Sequence, residues 1–212
     1  MLTLAVDTTA EFGSLALVDA EGTREEVVLR APDGFSGVLF QEIAALLARQ
    51  DVSLQDIELF AGASGPGSFT GVRIGLAAVK GLGEVLGRRV VGVSNLEALA
   101  SLGEGELRAA VIDARRGEVY AGLFDRSGQA VLPEMVTSFA GLLELLGDRE
   151  FEWVASGFDP VRGVPASTPP RALAAAIARV AIRRLHAGGA NDPAAVDANY
   201  VRRPDAEIFW KG

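Results

Sequence analysis

The sequence contains no cysteine and only one histidine, and both absences exclude whole classes of chemistry. Without cysteine there is no disulfide, no thiolate zinc site and no cysteine nucleophile. The one histidine, His186, lies near the end of a basic, alanine-rich segment, a position typical of a helix C-terminus. The sequence has neither a histidine pair at metal-ligand spacing nor a G-x-S-x-G nucleophile elbow. It therefore predicts no metal site and no catalytic residue.

Positive charge is also scarce. The sequence has 20 lysines and arginines but 28 aspartates and glutamates, which gives a net charge of −8. A field of this sign repels a phosphate backbone, so RNA binding would need a partner. Long apolar runs are missing too, and no stretch approaches the roughly 20 residues that span a bilayer. We therefore expect a cytoplasmic protein without membrane contact, whose 49% hydrophobic residues supply a buried core.

The hydrophobic pattern predicts an α/β chain in which one order of elements occurs twice. The first half predicts strands at 2–8, 13–19, 24–30, 57–64 and 89–94, with helices at 36–50, 70–86 and a short one at "NLEALASL". The second half predicts strands at 107–114, 118–125, 130–136 and 151–157, with helices at 138–147 and 170–188. The shared order is β-β-β-α-β-α.

Three positions of the first half recur 106 residues later. The recurring pairs are Asp7 and Asp113, Asp19 and Asp125, and Gly22 and Gly128. Together with the shared element order they favour an internal repeat. The arrangement resembles a doubled ribonuclease H-like unit, as in the actin, sugar-kinase and heat-shock ATPase superfamily. We predict two lobes, residues 1–104 and residues 105–212, the second with a C-terminal tail.

Asp7 ends the first predicted strand, where ATPases of that superfamily hold a metal-bound nucleotide. The alternative is structural, namely a strand-end aspartate that hydrogen-bonds the turn made by Thr8 and Thr9. The structural interpretation is favoured, because the phosphate-binding turn of those ATPases has a glycine directly after the acid. Here "DTTAEFGS" has none before Gly13.

The segment "GPGSFTGVRIGLAAVKG" combines a glycine-rich turn with a helix. Its spacing fits neither the P-loop pattern G-x-x-x-x-G-K-S/T nor the dinucleotide pattern G-x-G-x-x-G. A strand, a glycine turn and a helix N-terminus still form an arrangement that suits anions. Gly65, Gly67 and Ser68, with Asp7, are therefore candidate nucleotide or anion contacts.

Within that helix Gly71, Gly75 and Ala78 form a stripe of small residues, followed by Leu82. Each glycine costs about 1 kcal/mol of helix propensity relative to alanine, so a close approach by another element is expected in return. The spacing alone leaves open whether that element is the chain's own sheet or a helix of another chain. We interpret the stripe as room for a neighbouring helix.

Several long motifs resemble the bacterial TsaB family, formerly called YeaZ. They are "LAVDTTAEFGSLAL" near the N-terminus, "GPGSFTGVRIGLAAVKGL" (65–82), "VVGVSNLEALA" (90–100) and "VIDARRGEVYAGLFD" (111–125). In addition "ANYVRR" (198–203) is similar to the family's C-terminal P-x-Y-L-R element. The resemblance implies a non-catalytic subunit of the complex that installs threonylcarbamoyladenosine on tRNA, whose catalytic relative TsaD carries the metal-binding histidines.

The resemblance also implies partners. These are TsaD, the ATPase TsaE through the complex, tRNA only through the complex, and a second copy of the chain when it is alone. No cofactor is implied, except that a nucleotide could bind at a surface shared with the partner. Two alternatives stay open: a self-sufficient superfamily ATPase or glycoprotease-like peptidase, and a homodimer with no enzyme partner.

The same resemblance implies an interface on the helices predicted at 36–50 and 70–86, although not every residue there can face outward. The candidates are Leu39, Phe40, Ile43, Leu47, Gly71, Val72, Gly75, Ala78, Val79 and Leu82. The sequence departs from the family pattern at Phe35, where His is frequent, and in its apolar tail "PDAEIFWKG". We interpret that tail as docked on a lobe or on a partner.

Overall fold

A computed structural model describes residues 1–156, 172–189 and 193–201. Its first sheet has five strands in the order β3-β2-β1-β4-β5. The strands are β1 (Thr3–Asp7), β2 (Phe12–Val18), β3 (Thr23–Arg30), β4 (Leu59–Gly65) and β5 (Arg89–Ser94). The first three form an antiparallel meander, whereas β4 pairs in parallel with both β1 and β5. This is the strand order of a ribonuclease H-like unit.

Three helices accompany this sheet: α1 (Leu39–Arg49), α2 (Phe69–Leu86) and α3 (Asn95–Ala100). Short 3₁₀ turns at Phe35–Gly37 and Leu54–Asp56 flank α1. Helix α2 begins after Ser68, whose hydroxyl accepts the Gly71 N–H at 3.2 Å, and it ends at Gly87 in the left-handed conformation. The apolar faces of α1 and α2 pack into one cluster on the same side of the sheet.

The second sheet has four strands in the order β8-β7-β6-β9. They are β6 (Leu107–Asp113), β7 (Glu118–Asp125), β8 (Ala130–Ser138) and β9 (Glu152–Ser156). Helices α4 (Phe139–Leu146) and α5 (Ala174–His186) follow β8 and β9, and a 3₁₀ turn spans Pro193–Ala195. The predicted fold class, two lobes with β-β-β-α-β-α repeated, is confirmed. The predicted start of the last helix, 170–171, the end of the strand predicted at 151–157 and the whole apolar tail, 204–212, lie outside the described residues.

The repeat extends to the turns between strands. Asp19 accepts the N–H of Gly22 at 3.2 Å, and Asp125 accepts the N–H of Ser127 at 2.9 Å. Gly22 and Gly128 both have positive φ, at 133° and 90°, a backbone conformation that glycine adopts readily. The recurrence at 106 residues therefore reflects the same aspartate-stabilised turn in each lobe.

A layer formed by α3 and α5 joins the two lobes. Helix α3 packs on β6 and β7 of the second sheet, while α5 packs on β1 and β2 of the first. The contact is lined with alanine on both sides, which allows the helix backbone to approach the sheet closely. Its buried alanines include Ala5, Ala16, Ala61, Ala174 and Ala178. The predicted division at residues 104 and 105 falls between the sheets, but each lobe contributes a helix to the other's core.

No helix among the described residues is both long and apolar enough to cross a bilayer.

Candidate functional site

The carboxyl ends of the parallel strands β1, β4 and β5 meet at one edge of the first sheet. Asp7 lies there with only 3% of its surface exposed. Its Oδ1 accepts the backbone N–H of Thr9 at 2.9 Å and the Thr9 hydroxyl at 2.7 Å. The structural interpretation of Asp7, as the anchor of the turn that follows its strand, is confirmed.

Burial raises the pKa of Asp7 above its ordinary value, and hydrogen bonds from Thr9 and Asn95 offset part of that rise. Asn95 is the residue that sequence reasoning missed at this edge. Its amide donates to the Thr9 hydroxyl at 2.8 Å, and its Oδ1 accepts the N–H of Gly65 at 3.0 Å. It thus joins the ends of β1 and β4 at the start of α3. A polar residue directly after the helix cap Ser94 was the available signal.

The glycine turn rests directly on the turn after Asp7. The peptide bond between Gly65 and Pro66 is cis, and the Ser68 N–H donates to the Thr9 carbonyl at 2.6 Å. A Cβ added to Gly67 would lie 2.5 Å from that same carbonyl oxygen. The chain itself therefore fills the space between the two turns, and these residues do not fit a phosphate group there. A nucleotide on a surface shared with a partner stays a prediction.

A cleft of about 290 Å³ lies beside these turns, and its lining includes Thr8, Arg30, Phe35, Thr70 and Ile74. Phe35 takes the position where the family often has histidine. It is buried, and its ring would be 2.7 Å from a Cβ on Gly13. In this chain the position therefore serves packing.

The glycine stripe of α2 accommodates the end of β1, so its interpretation as room for a neighbouring helix is wrong. A Cβ on Gly71 would lie 1.9 Å from the carbonyl oxygen of Thr8, and one on Gly75 would lie 2.6 Å from its hydroxyl. That hydroxyl donates to the Gly71 carbonyl at 2.7 Å. Both glycines thus allow α2 to approach the chain's own strand.

The structure also corrects the orientation of most predicted interface residues. Eight of the ten are buried in the chain's own core: Leu39, Ile43, Leu47, Gly71, Val72, Gly75, Ala78 and Val79. Leu82 is half-buried against the same core, and Phe40 is 57% exposed. The physical reason is that the 3–4 spacing of apolar residues marks the face a helix turns to its own sheet.

The solvent-facing side of α2 carries a different row of residues, which we call the outer ridge. Its members are spaced four apart and all exposed: Phe69, Arg73, Ala77, Gly81 and Val85. Val85 is 84% exposed, and a Cβ on Gly81 would have no neighbour within 4 Å. On α1 the exposed row Phe40, Ala44 and Ala48 has the same spacing. Each row places small residues beside a large apolar one.

Residues 193–201 form what we call the C-terminal strap, which runs along α2. The Val196 carbonyl accepts from Lys80 Nζ at 2.7 Å, and the Asn199 N–H donates to the Ser64 carbonyl at 2.7 Å. The Asn199 amide also donates to Glu134 of β8 at 2.5 Å. The strap therefore connects α2 of the first lobe with the second sheet.

Among the described residues, no group of three or more histidine, aspartate or glutamate side chains is arranged to hold a metal ion.

The strand order and the shared helical layer define the class as a pair of ribonuclease H-like lobes of the actin, sugar-kinase and heat-shock ATPase type. Residues 31–181 match the model of the family described as "TsaD: tRNA N6-adenosine threonylcarbamoyltransferase". The chain is 33% identical over 164 residues to "tRNA threonylcarbamoyladenosine biosynthesis protein TsaB" of Bacillus subtilis (strain 168), covering 75% of this chain and 72% of the relative. The protein of that name from Escherichia coli (strain K12) is 33% identical over 165 residues, covering 74% and 71%.

A solved structure titled "YeaZ from Pseudomonas aeruginosa" matches with a TM-score of 0.75 and 27% identity, over 93% of this chain and 99% of that one. The chain belongs to the TsaB (YeaZ) family.

Proposed function

We propose that this chain acts in the biosynthesis of threonylcarbamoyladenosine on tRNA, as a non-catalytic subunit that binds and activates TsaD. Its relatives carry the name of that pathway. The observation that carries the proposal is the pair of exposed rows on α1 and α2, which lie on the same side of the first sheet. Helices that keep such rows in solvent are suited to pairing with helices of another chain.

The edge of the first sheet supports a structural role in place of an intrinsic ATPase. Asp7 is buried, and Thr9 supplies two of the hydrogen bonds to its carboxylate. The Ser68 N–H, which could otherwise bind a phosphate, is bonded to the Thr9 carbonyl. These contacts favour a structural role for both groups over one in binding a nucleotide.

The outer ridge has a shape that suits a crossing helix. Rows of residues spaced four apart are the ridges that pack into the grooves of a partner helix. Ala77 and Gly81 make the middle of the ridge low, while Phe69 and Val85 stand high at its ends. A partner helix can therefore lie close to the backbone between two apolar contacts.

The same surface serves a second copy of the chain when TsaD is absent, so the two partners compete for it. TsaE and tRNA join through the complex with TsaD. Addition of TsaD to the isolated chain is then expected to convert homodimer to heterodimer, which light scattering measures.

Reconstitution of tRNA modification tests the proposal. TsaD with its other partners is expected to modify tRNA at a rate that depends on this chain, and an equal rate without it would contradict the proposal. Ala77→Glu places a charge on the ridge of α2 and is expected to abolish both pairing and stimulation. Ala140→Glu, at another exposed helical alanine on α4, is the matched control and should leave both unchanged.

A further inference from the structure

The side chain of Arg73 is held on two sides at one end of the outer ridge. Its guanidinium carbon lies 3.7 Å from the centre of the Phe69 ring, and its Nε donates to the Tyr200 hydroxyl at 3.1 Å. The Tyr200 ring lies 5.4 Å from the Phe69 ring at a tilt of 36°. Phe69 and Tyr200 remain 41% and 43% exposed, so the cluster stands at the surface.

This arrangement fixes a group that is ordinarily mobile. A free arginine side chain has about 2 kcal/mol of rotamer entropy to lose when it binds a ligand. Here stacking and the Nε hydrogen bond already restrict it, while neither terminal nitrogen bonds or pairs with a carboxylate among the described residues. Two such nitrogens in one plane match the two oxygens of a carboxylate. The cluster is therefore preorganised to bind a planar anion.

The position of the cluster indicates which kind of molecule supplies that anion. Arg73 is followed along the ridge by Ala77 and Gly81, so its ligand belongs to whatever covers the ridge. Phenylalanine, tyrosine and arginine are enriched in protein interfaces, and tyrosine and arginine carry much of the binding energy. The net charge of −8 disfavours a polyanion such as RNA much more than a single carboxylate on a protein.

We propose that Arg73 binds a carboxylate on a helix of the protein partner that docks on the outer ridge, and that Tyr200 of the C-terminal strap is its positioning residue. The inference rests on the proposed function, because it takes the ridge as the docking surface. The inference also gives the C-terminal strap a part in pairing, because Tyr200 of the strap holds Arg73 of α2.

The proposed contact is tested by removing the guanidinium and measuring the affinity of the variant for TsaD. Arg73→Met keeps much of the aliphatic part of the side chain. It removes the positive charge and the two terminal nitrogens of the guanidinium. Its affinity for TsaD is expected to fall about tenfold, the loss typical of a charge-assisted hydrogen-bonded pair. Affinity should also depend less on salt in this variant than in the wild type. Arg126→Met, at an exposed arginine of the second lobe, is the control. An unchanged affinity and salt dependence would overturn the proposal.

The role of Tyr200 is tested by Tyr200→Phe, which keeps the ring and removes only the hydroxyl. The affinity for TsaD is expected to fall about threefold, because the guanidinium is less restrained before binding. In the background of Arg73→Met the same change should cost nothing further, since the hydroxyl acts through the arginine. Additive losses in the double variant would refute the positioning role. Unfolding midpoints of all variants show whether the fold is intact.

These results separate the inference from the proposed function. If Ala77→Glu leaves pairing intact, the ridge is not the docking surface and both proposals fail. If Ala77→Glu abolishes pairing but Arg73→Met does not weaken it, only the inference about the carboxylate fails. If Arg73→Met weakens tRNA binding by the assembled complex and leaves pairing unchanged, the ligand is a phosphate and the inference is likewise overturned.

Discussion

Thr8 lies where helix α2 passes close to the end of strand β1. Its carbonyl oxygen would overlap a Cβ on Gly71, and neither backbone segment can move without disturbing β1 or α2. Gly71→Ala is therefore expected to lower the free energy of unfolding by about 3 kcal/mol or more, the upper range for overpacking. Gly81→Ala, on the exposed side of the same helix, should raise it by up to about 1 kcal/mol. Urea denaturation measures both, and equal effects would contradict the orientation of α2.

Asp7 gives a pH dependence of defined sign. Burial raises its pKa in the folded chain above 3.8, so the folded state holds this proton more tightly than the unfolded state. Ionisation of Asp7 therefore costs stability as the pH rises through and above that ordinary value. Asp7→Asn removes this cost, and its free energy of unfolding relative to the wild type should increase as the pH rises above about 4.

The wild type and Asp7→Asn share all their other carboxylates. The difference in unfolding free energy between the two therefore reports on Asp7. A difference between the two proteins that stays constant with pH would contradict the raised pKa. An intrinsic ATPase that depended on this acid would instead lose its activity in the variant.

At the scale of the element, helix α5 takes its N-terminal hydrogen bonds from the other lobe. The Ser14 hydroxyl of β2 accepts the N–H groups of Leu173 and Ala174 at 3.2 and 3.0 Å, and Glu26 of β3 accepts that of Ala175 at 2.7 Å. These groups replace the capping residue that α5 lacks in its own sequence.

Ser14→Ala is expected to destabilise the protein by about 1 to 2 kcal/mol, as loss of a helix cap does elsewhere. Hydrogen exchange should show faster opening at the first turn of α5, although the substitution lies in β2. Ser36→Ala, at an exposed serine, is the control. If protection of that turn is unaffected, Ser14 does not cap the helix.

The elements themselves could be predicted well from the sequence, because caps, turns and apolar spacing are local. Ser68 and Gly87 mark the ends of α2, and the aspartate turns mark the hairpins. The orientation of α2 could not be predicted from its small residues. Both sides of this helix carry small residues, Gly71 and Gly75 on one and Ala77 and Gly81 on the other. The close contact of the buried glycines is with Thr8, more than sixty residues earlier, and it is the spacing of the larger apolar residues that marks the buried side.

The same limit applies to the candidate site. The structural role of Asp7 could be predicted because its partner Thr9 lies two residues away. Asn95 and Tyr200 could not be placed, since Asn95 bonds to Thr9 across 86 residues and Tyr200 to Arg73 across 127. Residues so far apart in the sequence come into contact only when the strands have assembled into the sheet, so local sequence patterns do not predict such contacts.

At the scale of the whole molecule, Glu97 connects the two helices of the shared layer. Its buried carboxylate on α3 pairs with Arg183 at 3.3 Å and with Arg184, both on α5. Glu97→Gln keeps the size of the side chain but removes the charge that both guanidiniums face. Because the arginines are partly exposed and can turn to water, the expected loss is about 1 to 2 kcal/mol, less than for a fully buried pair.

Chemical denaturation of Glu97→Gln should show the midpoint shifting while the two lobes still unfold in one transition. Separate transitions for the lobes would show that the shared layer does not couple them. Burial raises the pKa of Glu134 above its ordinary value and the charge of Glu97 raises it further, so that pKa should fall in the variant, which NMR titration measures.

The exchange of helices between the lobes also bears on the synthesis of the protein. The first sheet is complete when residue 94 has been made, yet α5, which covers its alanine-lined face, is made about eighty residues later. At synthesis rates of roughly 5 to 20 residues per second, that face stays uncovered for several seconds during translation. Until the ribosome has delivered α5, the alanine-lined face of the first sheet therefore lacks the helix that buries it in the finished fold.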